Sequence, residues 1–331
     1  MPPKFNSLSK VFISLLWIAA TVYGVYFIID VLGRSFTGEF EWVFPGFSLG
    51  NMAMLIVLVI LMLANWSIEA LKWKLSVSDF EKQPFFQALK ATLVGVSIST
   101  WMPNRLGEYL GKIFYLEQPN RYKGAISALF VSYTQIIATT FFGMLGAIYF
   151  LFEFKAGNNS WPYLIWLVLA LGLLLFFLVF KKRILRLLML KNKHVLTFLR
   201  TITRYGSKET LVLIGLSALR FCVFATQFVL ALHLFGVNVP FVSTFLLVSL
   251  IYGIQTVVPT SAIAGLGIRG ALSIYFIGLL TTSESAILMS TYFIWIINLL
   301  LPSVFGIVAL LASPVKYEVK ELALNWIKSK K

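Results

Sequence analysis

VSISTWMPNRLGEYLGKIFYL, residues 96–116, and YGIQTVVPTSAIAGLGIRGALSIYFI, residues 252–277, share one interrupted pattern. Each runs through apolar and Ser/Thr residues to a proline, Pro103 or Pro259, and these prolines lie 156 positions apart. Each then breaks into polar and glycine residues that include an arginine, Arg105 or Arg269, before an apolar stretch resumes. Hydrocarbon cannot satisfy broken backbone, so such breaks persist only where protein or a water-filled cavity surrounds them. Paired breaks in the two halves of a chain are a sequence pointer to the binding site of a transporter.

The rest of the chain supplies the membrane setting. Of its 331 residues, 59% are hydrophobic and 12% charged, the balance of a polytopic membrane protein. Lys and Arg number 28 against 13 acids, a net charge of +15. In this setting the excess reads as basic cytoplasmic loops meeting anionic lipid head groups, not as a nucleic-acid surface. Cys222 is the single cysteine, and two histidines and two aspartates leave little for a metal centre. No cofactor or metal is expected.

Six stretches are long enough to span: 11–33, 51–75, 125–151, 161–180, 209–236 and 286–312. The segment 181–208 carries nine Lys/Arg and no acid, which places it in the cytoplasm together with both termini. The loops with Glu39 and Glu41, with Glu153, and with Glu284 then fall outside. This holds only if both interrupted stretches, 84–116 and 241–280, enter and leave on one side as hairpins. The expected fold is an all-α polytopic membrane protein with six transmembrane helices and two re-entrant helical hairpins in an inverted-topology repeat. The expected repeats cover 11–152 and 161–312, with a basic loop at 181–208 and a cytoplasmic tail at 313–331. Residues 183–202 mix apolar and basic residues, as a helix lying in the inner head-group layer or a basic loop would.

The chemistry gathers at the breaks. Arg105 and Glu108 are three apart and would share the first turn of a helix that Asn104 caps. Gly265 and Gly267 precede Arg269 and would let backbone approach a ligand. Helix starts at two hairpin tips, with Arg105 and Arg269, would suit a phosphate or carboxylate, the tips being expected to meet near the midplane. The competing account makes these charges structural, but intramembrane charge costs about 2.5–3.5 kcal/mol per residue on insertion scales. Ser97, Ser99, Thr100, Thr134, Gln135, Gln255, Thr256, Thr260, Ser261 and Asn298 fall where they would line a path or join helices. Glu69, beside Lys72 and Trp73, is expected to pair at the cytoplasmic interface, and Arg220 to snorkel or face the path. His233 is expected to pack.

The stretch PNRLGEYLGKIFYL, 103–116, resembles the P-x-R-x-G-E signature of the lysylphosphatidylglycerol synthase transmembrane-domain family, with Pro103, Arg105, Gly107 and Glu108 matching. AGLGIRGALSIYF, 264–276, resembles its Gly-Leu-Gly-Val-Arg-Glu run, with Gly265, Leu266, Gly267 and Arg269 matching. KWKLSV at 72–77 is similar to its basic-Trp-basic helix ending. Two positions depart: Gly270 stands where the family has glutamate, and Gly111 and Lys112 follow the first signature where an arginine is common. A contact made by that glutamate is therefore not carried over.

The resemblance implies movement of a lipid head group between leaflets. Its partners would be phospholipids or lipid-linked intermediates, with anionic lipids at the cytoplasmic face and a possible partner enzyme or second copy. The cytosolic aminoacyl-transfer domain of bifunctional members is not present up to Lys331, so no enzymatic activity is expected. The location implied is the plasma (inner) membrane. The alternative is a membrane-embedded transferase acting on polyprenyl-linked sugars, or a module supporting a partner enzyme.

Overall fold

Helices are the local answer to a chain this apolar, because each satisfies its own backbone groups without water. The computed structural model describes residues 7–37, 43–101, 106–154, 201, 203–257 and 262–313. Among them the helices are α1 (Ser7–Phe36), α2 (Leu49–Val77), α3 (Phe85–Trp101), α4 (Leu106–Phe114) and α5 (Arg121–Phe154). Then come α6 (Ser207–Leu234), α7 (Phe241–Val257), α8 (Ala262–Ile277), α9 (Glu284–Trp295) and α10 (Leu301–Leu311). Five stretches have the length and composition to cross a bilayer: Ile18–Phe36, Leu49–Val77, Gln118–Phe154, Ser207–Leu234 and Glu284–Leu311. They coincide with five of the six expected spans. The remaining one, 161–180, lies outside the described residues, as do the amphipathic stretch up to residue 200 and the tail from 314.

Local signals set the helix ends. Ser48 caps α2: its Oγ accepts the Asn51 N–H at 3.1 Å. Pro84 and Pro240 stand directly before α3 and α7 and offer carbonyls to Ala88 N–H (3.1 Å) and Thr244 N–H (3.0 Å). Gly236 ends α6 with φ 81°, a left-handed cap that lets Val237 N–H reach back to the Leu232 carbonyl at 2.9 Å. Between α9 and α10 the chain widens into a π-helical turn, Ile296–Leu300. Pro302 follows; it has no N–H to give the preceding turn, and its ring crowds that turn's carbonyl, so the wider turn absorbs the mismatch.

The surface is inverted relative to a water-soluble protein. On α2, Ile56 and Leu63 are 59% and 56% exposed, whereas Lys72 on the same helix is 0% exposed. Tyr26 and Ile29 on α1 and Val308 on α10 are likewise exposed. Apolar side chains outside and charge inside are what a hydrocarbon solvent selects.

The helices sort into two compact units. One holds the latter part of α2, α3, α4, the first parts of α5 and α6, and α10. Here α3 and α4 form an antiparallel pair closed by glycine. A β-carbon on Gly107 would overlap the Ser99 backbone, and one on Gly111 the Gly95 backbone. Both contacts are centred on chain position 103. At the base, Gln83 Nε2 donates to the Tyr115 carbonyl at 2.9 Å, and Asn120 Nδ2 to Glu81 at 2.9 Å, so the two arms start and finish side by side. Gly306 seats α10 on the Leu93 carbonyl of α3.

The other unit holds α1, the first part of α2, the latter parts of α5 and α6, and α7, α8 and α9. Here α7 and α8 pair, and α1 packs on α8 through Gly24 against Ala264 and Gly267. Gly146 seats α5 on the Leu246 carbonyl of α7. The two units thus repeat a motif. α3 and α7 are each 17 residues long, and both they and the arms that follow, α4 and α8, begin 156 positions apart. Arms of 9 to 17 residues are at most about 25 Å long, short of the roughly 30 Å hydrocarbon core.

Ion pairs and hydrogen bonds join helix ends within each unit. Arg34 Nη1 meets Glu284 Oε1 at 2.8 Å, joining the end of α1 to the start of α9. Separately, Arg204 lies 3.7 Å from Asp79 and bonds the Ser76 carbonyl, joining the end of α2 to the segment before α6.

Candidate functional site

The densest buried chemistry lies where α2, α4, α5 and α6 converge. Glu69 and Lys72 are one turn apart on α2 and face inward, 7% and 0% exposed. Lys112 of α4 brings its Nζ to Glu69 Oε1 at 2.6 Å. The other oxygen, Oε2, receives Lys72 Nζ and Arg220 Nη1, each at 3.3 Å. Gln135 of α5 completes the group, its Oε1 accepting from Lys72 Nζ at 3.1 Å and from Arg220 Nη1 at 3.4 Å. Gln135 is itself held by Nε2 donating to the Ser217 carbonyl at 3.3 Å, beside a Thr134–Ser217 hydroxyl bond of 3.0 Å.

Aromatic rings flank the cluster. The Arg220 guanidinium lies over Trp66 at 5.4 Å and Lys112 Nζ over Trp73 at 5.9 Å. Trp66, Glu69 and Trp73 recur at helical spacing on one face of α2, which is why a single helix supplies the carboxylate and both rings. Trp73 in turn packs in a fully apolar cluster with Val77, Ala88, Leu116 and Ala128.

A smaller polar group sits on α7 and α8. Arg269 Nε donates to Gln255 Oε1 at 3.1 Å, and its guanidinium lies over the Tyr252 ring at 5.2 Å. Gln255 Nε2 reaches the Gly265 carbonyl at 3.4 Å. Tyr252 is backed edge-on by Phe224 and Phe228. The arginine therefore ties the two arms together across the break.

Several sequence-selected residues come together and others do not. Gln255, Gly265 and Arg269 form one group, and Gln135 enters the Glu69 cluster. Gly107 and Gly267 are occupied by helix packing, against Ser99 and Gly24 respectively. Glu108 opens α4, with its backbone lying against Gly95. Ser97, Ser99 and Thr100 turn their hydroxyls to their own helix, and Thr100 also meets Ser303 at 2.9 Å. His233 Nδ1 is bonded to the Val229 carbonyl at 2.9 Å, the packed role expected of it. Pro103, Asn104, Arg105, Pro259 and Thr260 lie outside the described residues.

The departure at Gly270 has a physical reason. A β-carbon there would lie 2.8 Å from Phe27, 3.1 Å from Leu288 and 3.2 Å from the Tyr292 hydroxyl. The place of the family's glutamate is filled by neighbours of α1 and α9.

Sequence reasoning expected Glu69 to pair beside Lys72 and named Lys112 only as a departure from the family, and it placed none of the three among the binding residues; the structure buries them together. The signal was present: an acid and a base three apart inside a span, where charge needs a partner. Nothing in the spacing said that the partner would come from α4.

These features define a helical integral membrane protein that keeps charge in its interior. Residues 41–306, about four-fifths of the chain, match the model of the lysylphosphatidylglycerol synthase transmembrane region, and the chain belongs to that family. Comparison with curated proteins gives no match.

Proposed function

We propose that this protein moves a phospholipid or lipid-linked anionic head group between leaflets, without catalysing a covalent step. Family membership supports a lipid-related role in the membrane. The observation that carries the reading further is the pair of short helix couples, α3–α4 and α7–α8. Neither arm of either couple is long enough to span, and in the second an arginine of one arm is bonded to a glutamine of the other. The two couples act as re-entrant hairpins of an inverted repeat. The matched 156-residue offset supports this, as do the crossed glycine contacts, Gly306 on α3 and Gly146 on α7. Arg105 and Arg269 are the anion contacts, and Glu108 is the acid that balances or couples them. The lipid tails stay in hydrocarbon throughout. The protein sits in the plasma membrane with both termini and the basic 181–208 segment toward anionic lipid in the cytoplasm.

The test is reconstitution in liposomes with head-group-labelled lipids, following the accessible fraction over time. Wild-type protein is expected to speed exchange, and Arg105→Ala or Arg269→Ala to slow it at least tenfold while melting normally. If no phospholipid or polyprenyl phosphate moves faster than in protein-free vesicles, the transport reading is wrong.

A further inference from the structure

The Glu69 cluster is not balanced. Among the described residues, three cations, Lys72, Lys112 and Arg220, lie within 3.3 Å of one carboxylate, an excess of two positive charges. Side-chain exposure falls from 21% at Arg220 to 9% at Glu69, 5% at Lys112 and 0% at Lys72. Excess charge in such surroundings is costly unless another anion joins it. Arg220 Nε, buried, has no hydrogen-bond partner among the described residues. The guanidinium thus keeps unused donor capacity inside the group, although Arg220 as a whole is its most exposed cation.

We propose that Lys72, Lys112 and Arg220 form a buried anion subsite for a phosphate group, in which Glu69 is the resident carboxylate that the phosphate displaces. A phosphate meets Arg220 first, as the most exposed cation of the group, and once inside takes its unpartnered Nε. It then takes the ammonium groups of Lys72 and Lys112, while Gln135 supplies amide contacts. With Glu69 displaced the three cations carry three positive charges, which a phosphodiester lowers to two and a doubly charged phosphomonoester to one, so the monoester replaces the carboxylate more fully. Lys112 is the contributor from α4 among the described residues, so the exchange also releases its tie to the carboxylate of α2.

The proposal takes from the transport reading only the kind of anion, and equilibrium binding can succeed where transport fails. The experiment is thermal melting of the full-length protein in neutral detergent at fixed ionic strength. It is titrated in separate arms with inorganic phosphate, dihexanoyl phosphatidic acid and dihexanoylglycerol. A saturable rise in melting temperature with phosphatidic acid but not phosphate identifies a lipid source, and a rise with both identifies free phosphate as sufficient. The neutral glyceride should do nothing. Arg220→Gln and Lys112→Gln should each weaken binding about tenfold or more, the loss of one charge-assisted hydrogen bond. Lys112→Arg should retain it, and the exposed Lys208→Gln should match wild type.

The decisive variant is Glu69→Gln. A purely structural carboxylate predicts lower stability and unchanged or weaker anion affinity. A displaceable one predicts lower stability without anion and tighter affinity with it, so that phosphate raises the variant's melting temperature more than the wild type's. No saturable shift in wild type, a shift that survives Arg220→Gln, or an affinity not raised by Glu69→Gln overturns the proposal. If Glu69→Gln does not fold, the loss in Lys112→Gln against retention in Lys112→Arg decides.

Discussion

The couples α3–α4 and α7–α8 begin 156 positions apart and share a plan, yet they place charge differently. In α7–α8, Arg269 is bonded within the couple, to Gln255 and over Tyr252, and Gly267 and Gly270 lie against α1. In α3–α4 the basic residue Lys112 leaves the couple and meets Glu69 on a neighbouring span. The position before Lys112 is sealed by Gly111 on Gly95, and the position after Arg269 by Gly270 beside Phe27. One couple is therefore pinned to its surroundings by ions and the other by close packing. An ionic pin can be exchanged for another anion, whereas a packed one can only be strained.

The largest effect should come from removing the ionic pin. Glu69→Ala leaves two buried cations, Lys72 and Lys112, and the half-buried Arg220 without their carboxylate, and breaking a buried pair in this way costs about 3–5 kcal/mol. Reversible unfolding in mixed micelles should show that loss, and adding Lys112→Met should recover part of it because one stranded charge is gone. A loss below about 1 kcal/mol, the range of an exposed pair, would erase the distinction between the couples. Next in size is Gly270→Glu, which restores the family's acid to a place this chain has filled. Burial of the charge alone costs about 2.5–3.5 kcal/mol on insertion scales, and Phe27 and Leu288 must also yield. Trimming the neighbour, as in Phe27→Ala with Gly270→Glu, should restore part of the stability. Full stability of the single variant would show that α8 is not sealed there.

Much of this was legible from residues alone, and what was not has a common cause. Length and apolar content locate spans because each helix satisfies itself, so α2 at 49–77 falls on an expected 51–75. The prolines and polar breaks announce the couples because broken backbone is local. Gln255 and Arg269, 14 apart, also proved to be partners, since a hairpin returns the chain to itself. Glu69 and Lys112 are 43 apart on elements with no shared periodicity, and only packing decides that they meet. Glycine is ambiguous in the same way. Gly107 and Gly267 mark close approach, but sequence does not tell whether a ligand or another helix does the approaching.

A smaller effect tests the packed seals directly. Gly111→Ala places a methyl group into the Gly95 backbone and should cost about 1–3 kcal/mol as overpacking. Gly215→Ala on α6 has nothing within 4 Å of the new carbon and should gain about 0.4–1 kcal/mol through the unfolded chain. Opposite signs for the same chemical change would confirm that α3 and α4 touch backbone to backbone. Equal small effects would mean that the couple is looser than its glycines suggest.

The smallest effect separates ions at the rim from ions inside. Arg34 meets Glu284 at 2.8 Å and Asp30 at 3.1 Å, with side chains 29%, 41% and 42% exposed. Water and salt screen such a group, so a double-mutant cycle on Arg34→Met and Glu284→Gln should give about 0.2–1 kcal/mol, falling as ionic strength rises. The same cycle on Lys112→Met and Glu69→Gln should give a larger coupling that barely responds to salt, because that pair is buried. The distances differ by only 0.2 Å, so geometry alone predicts similar couplings. Burial is the variable, and a rim coupling as large and salt-resistant as the inner one would show that the ends of α1 and α9 are also shut from water.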